Sequence, residues 1–232
     1  MQLKRGDTNL ESFNKRLNDP VELENYKRPF DHYKVALLPK ILGNILVISG
    51  NLVYGYKPSY AKFRSVEIIA RVPYHSWSSA AFTLLTMFFS NEKKALNLSS
   101  VVKYSEIAQD NETMHVVVIS QLAAKHHRNM DIFRRTIVPL FFSFFYFWFS
   151  YVIYLIHPKY SYQINYMFEQ HAFDQYNLFL EQNEELLKSR KMDSEFLTWY
   201  GRHSETEYDF FLSVRNDEII HRNTSVQEIK FV

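Results

Sequence analysis

The chain contains no cysteine. That absence excludes thiol nucleophiles, disulfides, iron–sulfur clusters, thiolate-bound haem and Cys-type zinc sites, although it does not fix a compartment. Glycine is also scarce, with five in 232 residues against a usual share of about 7%. A sheet-rich fold would lack its turns, and no G-x-G-x-x-G, P-loop or G-x-S-x-G is present. Nucleotide-binding α/β enzymes and elbow-type serine hydrolases are thereby disfavoured. An excess of one charge is missing too: 27 Lys and Arg face 25 Asp and Glu, a net charge of +2. There is no broad electrostatic footprint for nucleic acid, and none is expected as a partner. The first 26 residues hold no apolar core of a secretory signal, and their acidic residues argue against a transit peptide. No internal repeat or low-complexity tract occurs. What is abundant is aromatic: 17% of the chain, with 20 Phe and 16 Tyr. Such a load in a near-neutral chain points to a membrane or another large apolar contact.

The length makes one domain the default. Residues 1–26 read as a polar N-terminal arm, loose or partly helical, before a single domain over 27–232. Residues 31–54 turn apolar, interrupted by Pro39 and Lys40, and fit a kinked amphipathic helix. Residues 59–91 read as one long helix with a kink at Pro73. A polar break is expected from Asn91 to Asn97, then a helical period over 98–124 that puts Val116, Ile119, Leu122 and Ala123 on one side. After a basic stretch containing Lys125, Arg128, Arg134 and Arg135 come twenty uncharged residues, IVPLFFSFFYFWFSYVIYLI (137–156), ended by His157 and Pro158. Further helices are expected over 159–190 and 203–223, giving an all-α chain of five or six helices. His126 and His127 read as solvated linker residues, and His171 as a packing residue off the Glu169 face.

Two E-x-x-H pairs carry the chemistry: Glu112 with His115, and Glu218 with His221. Three residues apart on a helix, a carboxylate and an imidazole share a face and can ligate one metal. One such pair is weak evidence, because a solvated ion pair has the same spacing. Two pairs weigh more when two further helices each offer a carboxylate in apolar surroundings. Glu67 (SVEIIARV) and Glu169 (MFEQHAF) do so, and a carboxylate on an apolar face is costly unless paired or metal-bound. That is the di-iron carboxylate pattern of ferritin-like four-helix bundles, and an oxygen and nitrogen ligand set suits iron or manganese.

Four segments, YAKFRSVEIIARVPYHSW, NETMHVV, FEQHAFDQYNLFL and VRNDEIIHRNT, together resemble the alternative oxidase family of membrane-bound di-iron quinol oxidases. They occur in family order over roughly residues 35–225, and ARVPY resembles the plastid terminal oxidase branch. The resemblance implies two iron ions held by Glu67, Glu112, His115, Glu169, Glu218 and His221. It implies supporting roles for Asn111 and Asp217, each just before a ligand Glu. Tyr176 lies seven residues after Glu169, two turns along the same face, and matches the family tyrosine tied to redox chemistry and quinol contact. Lys62 stands where the family usually has an Arg thought to contact the quinol head group; Lys keeps the charge but loses the planar fork. The Glu67–Glu112 interval is longer than usual for the branch, with the extra residues expected around 91–97. The implied substrates are quinol (plastoquinol or ubiquinol) and dioxygen, reduced to water without proton pumping, and the family suggests a homodimer. A di-iron hydroxylase of a quinone precursor, a ferritin-type iron-binding protein and a membrane-anchored helical protein with incidental motifs are the competing readings.

Taken alone, the 137–156 stretch has the length of a membrane span. Yet Glu67, Glu112 and His115 precede it while Glu169, Glu218 and His221 follow it, so one span would split the metal site across the membrane. The reading that keeps the site whole lays this helix and part of 31–54 along one leaflet. The basic cluster would then meet lipid head groups, a monotopic attachment that the family resemblance also implies.

Overall fold

In the computed structural model, residues 10–128 and 130–229 are described; they form ten α-helices and no β-strand. The helices are α1 (Leu10–Arg16), α2 (Pro20–Lys27), α3 (Leu37–Tyr54), α4 (Tyr60–Ala70), α5 (Val72–Phe88), α6 (Glu92–Lys125), α7 (Val138–Ile156), α8 (Pro158–Lys188), α9 (Glu195–Tyr200) and α10 (Glu207–Glu228). The all-α expectation holds, but the number of helices exceeds five or six for local reasons. The long helix expected over 59–91 is two helices, because Pro73 near the start of α5 has no N–H and Arg71 ends α4. Pro39 sits in the first turn of α3, where the missing N–H costs nothing, so α3 is helical throughout and 31–36 lies outside it. The polar residues expected to break the chain at 91–97 instead start α6: Asn91 is its N-cap, and its side chain accepts the Lys94 N–H at 3.1 Å. The interval between Glu67 and Glu112 is thus taken up by helix.

Other boundaries follow the same logic. Thr206 and Asp209 form a reciprocal capping box at the head of α10, and Ser59 caps α4 through the Lys62 N–H. Pro158 opens α8 directly after His157, making the corner that folds α8 back along α7. The uncharged run is preceded by a single π-helical turn, Phe133–Ile137.

Four helices form the bundle: α4, α6, α8 and α10, with α10 packed along α8 and α4 along α6. α5 continues α4 beside α6, α7 packs on α5 and α8, and α3 lies on α8. Two apolar clusters fill the bundle at different heights. Phe63, Met114, Val118, Tyr176, Phe179, Phe211 and Val214 pack at one end. Tyr74, Trp77, Val101, Ala108, Tyr154 and Tyr162 pack at the other. Of the face predicted on α6, Ile119, Leu122 and Ala123 are buried, whereas Val116 is only partly so. Nine residues of the polar arm lie outside the described residues. From Leu10 onward it is helical and docks on α10, burying Phe13 and Leu17 against Ile219 and Ile220.

α3 and α7 pack on the bundle by one side only. Leu37, Ile45, Ile48 and Leu52 on α3, and Leu140, Phe141, Phe144 and Trp148 on α7, are exposed. Both segments are long and apolar enough to cross a membrane by length and composition, and only 17% of either apolar window is buried in the protein. α3 approaches α8 closely at Gly43, where an added Cβ would lie 2.8 Å from Met167 Sδ. Gly43→Leu should destabilise the fold by about 1–3 kcal/mol through overpacking. Gly43→Ala should cost far less, since the flexible Met167 tip can give way. Thermal melts followed by circular dichroism check the difference.

Candidate metal centre

The six residues expected to ligate metal come from the four bundle helices and meet between the two apolar clusters. Glu67 is on α4, Glu112 and His115 on α6, Glu169 on α8, and Glu218 and His221 on α10. None is more than 1% exposed. They form two groups: Glu67, Glu112, His115 and Glu218, and Glu112, Glu169, Glu218 and His221, with the donor atoms of each group within 4.8 Å of one another. Glu112 and Glu218 belong to both groups, so the arrangement is two neighbouring positions sharing two carboxylates.

The orientation of each donor fits a metal. His115 Nε2 meets Asp217 Oδ2 at 3.0 Å, which turns Nδ1 inward. There Nδ1 faces Glu67 at 3.4 Å, Glu112 at 3.3 Å and Glu218 at 3.5 Å. His221 Nδ1 lies 2.8 Å from Glu112 Oε1. Glu67 Oε2, both carboxylate oxygens of Glu112 and of Glu218, His115 Nδ1 and both His221 ring nitrogens are buried without a hydrogen-bond partner. So many orphaned acceptors in one core are costly unless cations bind them. All donors are carboxylate oxygen or imidazole nitrogen, which suits iron or manganese.

The electrostatics of the protein atoms agree. Burial first, and then the charge of Glu112, pushes the Glu67 carboxyl up to about 8. Burial and the neighbouring carboxylates push Glu218 well above the usual range, and burial raises Glu169. For Glu112 burial pulls upward, but the His115 and His221 imidazoles outweigh it and hold the group below its ordinary value. Burial opposes the charged form of His115, yet Glu112 and Asp217 raise it well above an ordinary histidine. The cluster holds more negative charge than a dry core can keep, which is what a pair of multivalent cations offsets.

The supporting residues are legible in part. Asp217 accepts hydrogen bonds from Asn111 Nδ2 at 3.1 Å and Asn14 Nδ2 at 2.6 Å, besides its contact with His115. It also forms a buried ion pair with Arg202. Asn111 and Asp217, singled out from the sequence, are thus joined to each other. Asn14 and Arg202 were not foreseen, because nothing local marks them. Gly201 ends α9 with φ 90°, and the Gly201 and Arg202 N–H groups bond back to Thr198 and Leu197. This left-handed C-cap turns Arg202 into the core. Glu169 has two partners that sequence reading also missed: Tyr74 Oη donates to it at 2.7 Å, and Asn165 Nδ2 at 3.0 Å. Asn165 had a readable signal, four residues before Glu169 on the same face.

Tyr176 is fully buried, donates to Glu67 Oε1, and stacks on Phe63 with centroids 4.0 Å apart. It closes one end of a cavity between α3, α4, α7 and α8, lined by Glu67, Glu169, Tyr176, Lys62, Gln175 and His171 among apolar residues of α3 and α7. Lys62 Nζ donates to Asn51 Oδ1 at 2.8 Å, Gln175 Oε1 at 2.9 Å and the Tyr56 carbonyl at 3.4 Å. Burial without a carboxylate partner pulls its ammonium down to about 8. His171 lines the cavity and is in neither donor group. His126 is no solvated linker: its Nε2 lies 2.7 Å from the buried Glu207, and its ring packs near Tyr60. Glu207 also accepts from Tyr60 Oη at 2.7 Å, so this second polar cluster clamps the head of α10 to α4 and α6.

The family model for alternative oxidase matches residues 46–228, the span that holds all six donors. The chain belongs to the alternative oxidase family. Among curated proteins it is similar to ubiquinol oxidase 4, chloroplastic/chromoplastic, of Arabidopsis thaliana, at 25% identity over 186 residues, covering 72% of this chain and 50% of that protein. The chain therefore spans about half the length of that relative. No solved structure matches it. Within this chain, Arg202→Ala should strip Asp217 of its counter-charge and destabilise the fold by about 3–5 kcal/mol. Urea denaturation of the two proteins measures the loss.

Proposed function

We propose that this alternative oxidase is a quinol:dioxygen oxidoreductase with two irons held by Glu67, Glu112, His115, Glu169, Glu218 and His221. The observation that carries the proposal is the junction of cavity and donor cluster. One cavity is lined both by Glu67, Glu169 and Tyr176 and by residues of the two apolar, outward-facing helices α3 and α7. A hydrophobic quinol held among lipid tails could enter there and present its head group to the cluster without crossing water. The iron pair, when bound, supplies the binding and reduction of dioxygen to water with electrons drawn from quinol.

The protein side chains have separate tasks. On the cavity wall the Gln175 amide N–H group offers a donor for a quinol oxygen, and Lys62 would reach one by exchanging one of its three oxygen partners. Tyr176 stands between cavity and donors, with its phenol hydrogen-bonded to Glu67, so a proton leaving a quinol hydroxyl has a path through Tyr176 Oη to Glu67 Oε1. The two apolar clusters keep water from the donors, which strengthens each electrostatic contact inside. Two quinols, each giving two electrons and two protons, balance one dioxygen reduced to two waters.

The reading places α3 and α7 along one leaflet of a membrane, an attachment without a full span. Donors that precede α7 and donors that follow it lie in one cluster, and a crossing α7 would part them. The resulting oxidase has no route for moving protons across the bilayer, so it dissipates the redox energy. The printed name of the relative points to ubiquinol, the ARVPY run resembles the plastid branch, and both quinols stand as substrates to be tested; a homodimer accords with the family.

Oxygen uptake by membranes expressing the chain, supplied with plastoquinol or ubiquinol in the presence of cyanide, tests the activity. Uptake should persist, since no haem is needed, and Tyr176→Phe should remove most of it while keeping two irons and the helical fold. Iron-loaded membranes that consume no oxygen with either quinol would refute the function. Metal content tests the shared carboxylates: Glu112→Ala should lose both irons, whereas Glu169→Ala, which touches one donor group, should keep close to one per chain by elemental analysis.

A further inference from the structure

The π-helical turn Phe133–Ile137 brings Arg135 against α4, which carries Arg64. The turn is fixed in place, because Tyr54 Oη at the end of α3 donates to the Arg134 carbonyl at 3.2 Å. Arg64 spends its Nε on Ser120 Oγ at 3.0 Å, but its Nη1 is shielded from solvent and has no partner. Arg135 Nε is likewise shielded and without a partner. Neither guanidinium forms an ion pair with an acid among the described residues, whereas the adjacent Arg134 is paired with Asp131 at 2.6 Å. The two are close enough that, after burial, the charge of Arg135 is the next influence lowering Arg64.

Two like charges brought together without an acidic partner oppose folding unless an anion joins them, and the remaining guanidinium nitrogens of each are the ones a surface anion would meet. A guanidinium presents a planar fork of donors that matches a phosphate. The surroundings say where such a phosphate would come from. Phe133 and Ile137, on the same π turn as Arg135, are exposed, as are Leu52 on α3 and Leu140 on α7, the helices that the proposed function lays against a membrane. Cations at the foot of an exposed apolar helix sit at head-group level, with acyl chains alongside the helix.

We propose that Arg64 and Arg135 form a clamp for the phosphate of an anionic membrane lipid. This rests on the one-leaflet attachment and adds to it a defined binding position. The clamp sets how deep the π turn lies at the surface, and hence where the mouth of the cavity between α3 and α7 meets the lipid tails.

The test is binding of the iron-loaded full chain to vesicles, comparing pure phosphatidylcholine with a mixture containing phosphatidylglycerol. Wild type should bind the anionic vesicles about tenfold more tightly or better, as two arginines near a charged surface imply. The double variant Arg64→Gln/Arg135→Gln should lose most of that gain and bind phosphatidylcholine as wild type does. A control of equal charge, Arg128→Gln/Arg134→Gln, should lose no more than about threefold, because its groups are exposed and screened. Circular dichroism reports whether the variants fold. If the Gln pair does not fold, Arg64→Lys/Arg135→Lys, which keeps the charge and loses the fork, should still lose most of the gain. Equal loss in the clamp variants and the control would overturn the clamp in favour of diffuse attraction. Millimolar inorganic phosphate that raises the wild-type melting temperature and removes the preference for anionic vesicles would overturn the lipid source. Equal binding to both vesicle types overturns the clamp and leaves the membrane attachment standing; no binding to either overturns both.

Discussion

Four carboxylates and two imidazoles, shut away from water in the middle of a helical bundle, set the terms for the rest of this molecule. An uncompensated charge in such a place costs several kcal/mol, so each ionisable group needs a partner or a cation. The protein supplies part of the compensation itself. Asp217, held by Arg202, Asn111 and Asn14, turns the His115 ring so that Nδ1 faces three carboxylates. Tyr74 and Asn165 occupy one oxygen of Glu169, and Tyr176 occupies one of Glu67. The oxygens and nitrogens left over point inward, and they belong to the two shared-carboxylate groups. The polar contacts on the outside of the cluster thus decide which lone pairs remain for metal.

The same constraint accounts for what the sequence disclosed. A glutamate in SVEIIARV or MFEQHAF has no business on an apolar face without a partner. The two E-x-x-H pairs repeat that signal on two more helices. The six carboxylate and imidazole residues that gather in the core are therefore marked in the sequence by helical spacing, which is local information, whereas Tyr176 stands out only through the family resemblance. Asn14 and Arg202 are not marked, because the contacts with Asp217 span the chain: Asn14 arrives on a helix of the N-terminal arm, and Arg202 through a left-handed turn at Gly201. His126 was misread for a similar reason. Its neighbours in sequence are basic and polar, while its partner Glu207 lies at the head of α10. Helix boundaries were missed where one residue has two meanings: Pro39 opens a helix although a proline inside one would kink it, and Asn91 starts α6 although polar runs often end helices.

The apolar surface is the second half of the design. α3 and α7 bury little of themselves against the bundle, yet both line the cavity that ends at Tyr176. Their outer residues face away from the protein while their inner residues form the walls of a path to the donors. Lys62 places a cation on that wall. Its three oxygen partners, Asn51, Gln175 and the Tyr56 carbonyl, hold the ammonium in place. The donor cluster and the apolar surface are joined through α8, which carries Glu169 and Tyr176 and receives α3 and α7.

Glu112 and Glu218 belong to both donor groups, so two metal ions held there would form a coupled pair and not two separate sites. Mössbauer spectroscopy of the full chain loaded with iron-57 tests this most directly. Oxidised protein should hold two irons per chain, coupled to a ground state without net spin. A spectrum showing magnetically isolated ferric iron, unchanged in character when Glu112 is replaced by alanine, would contradict it.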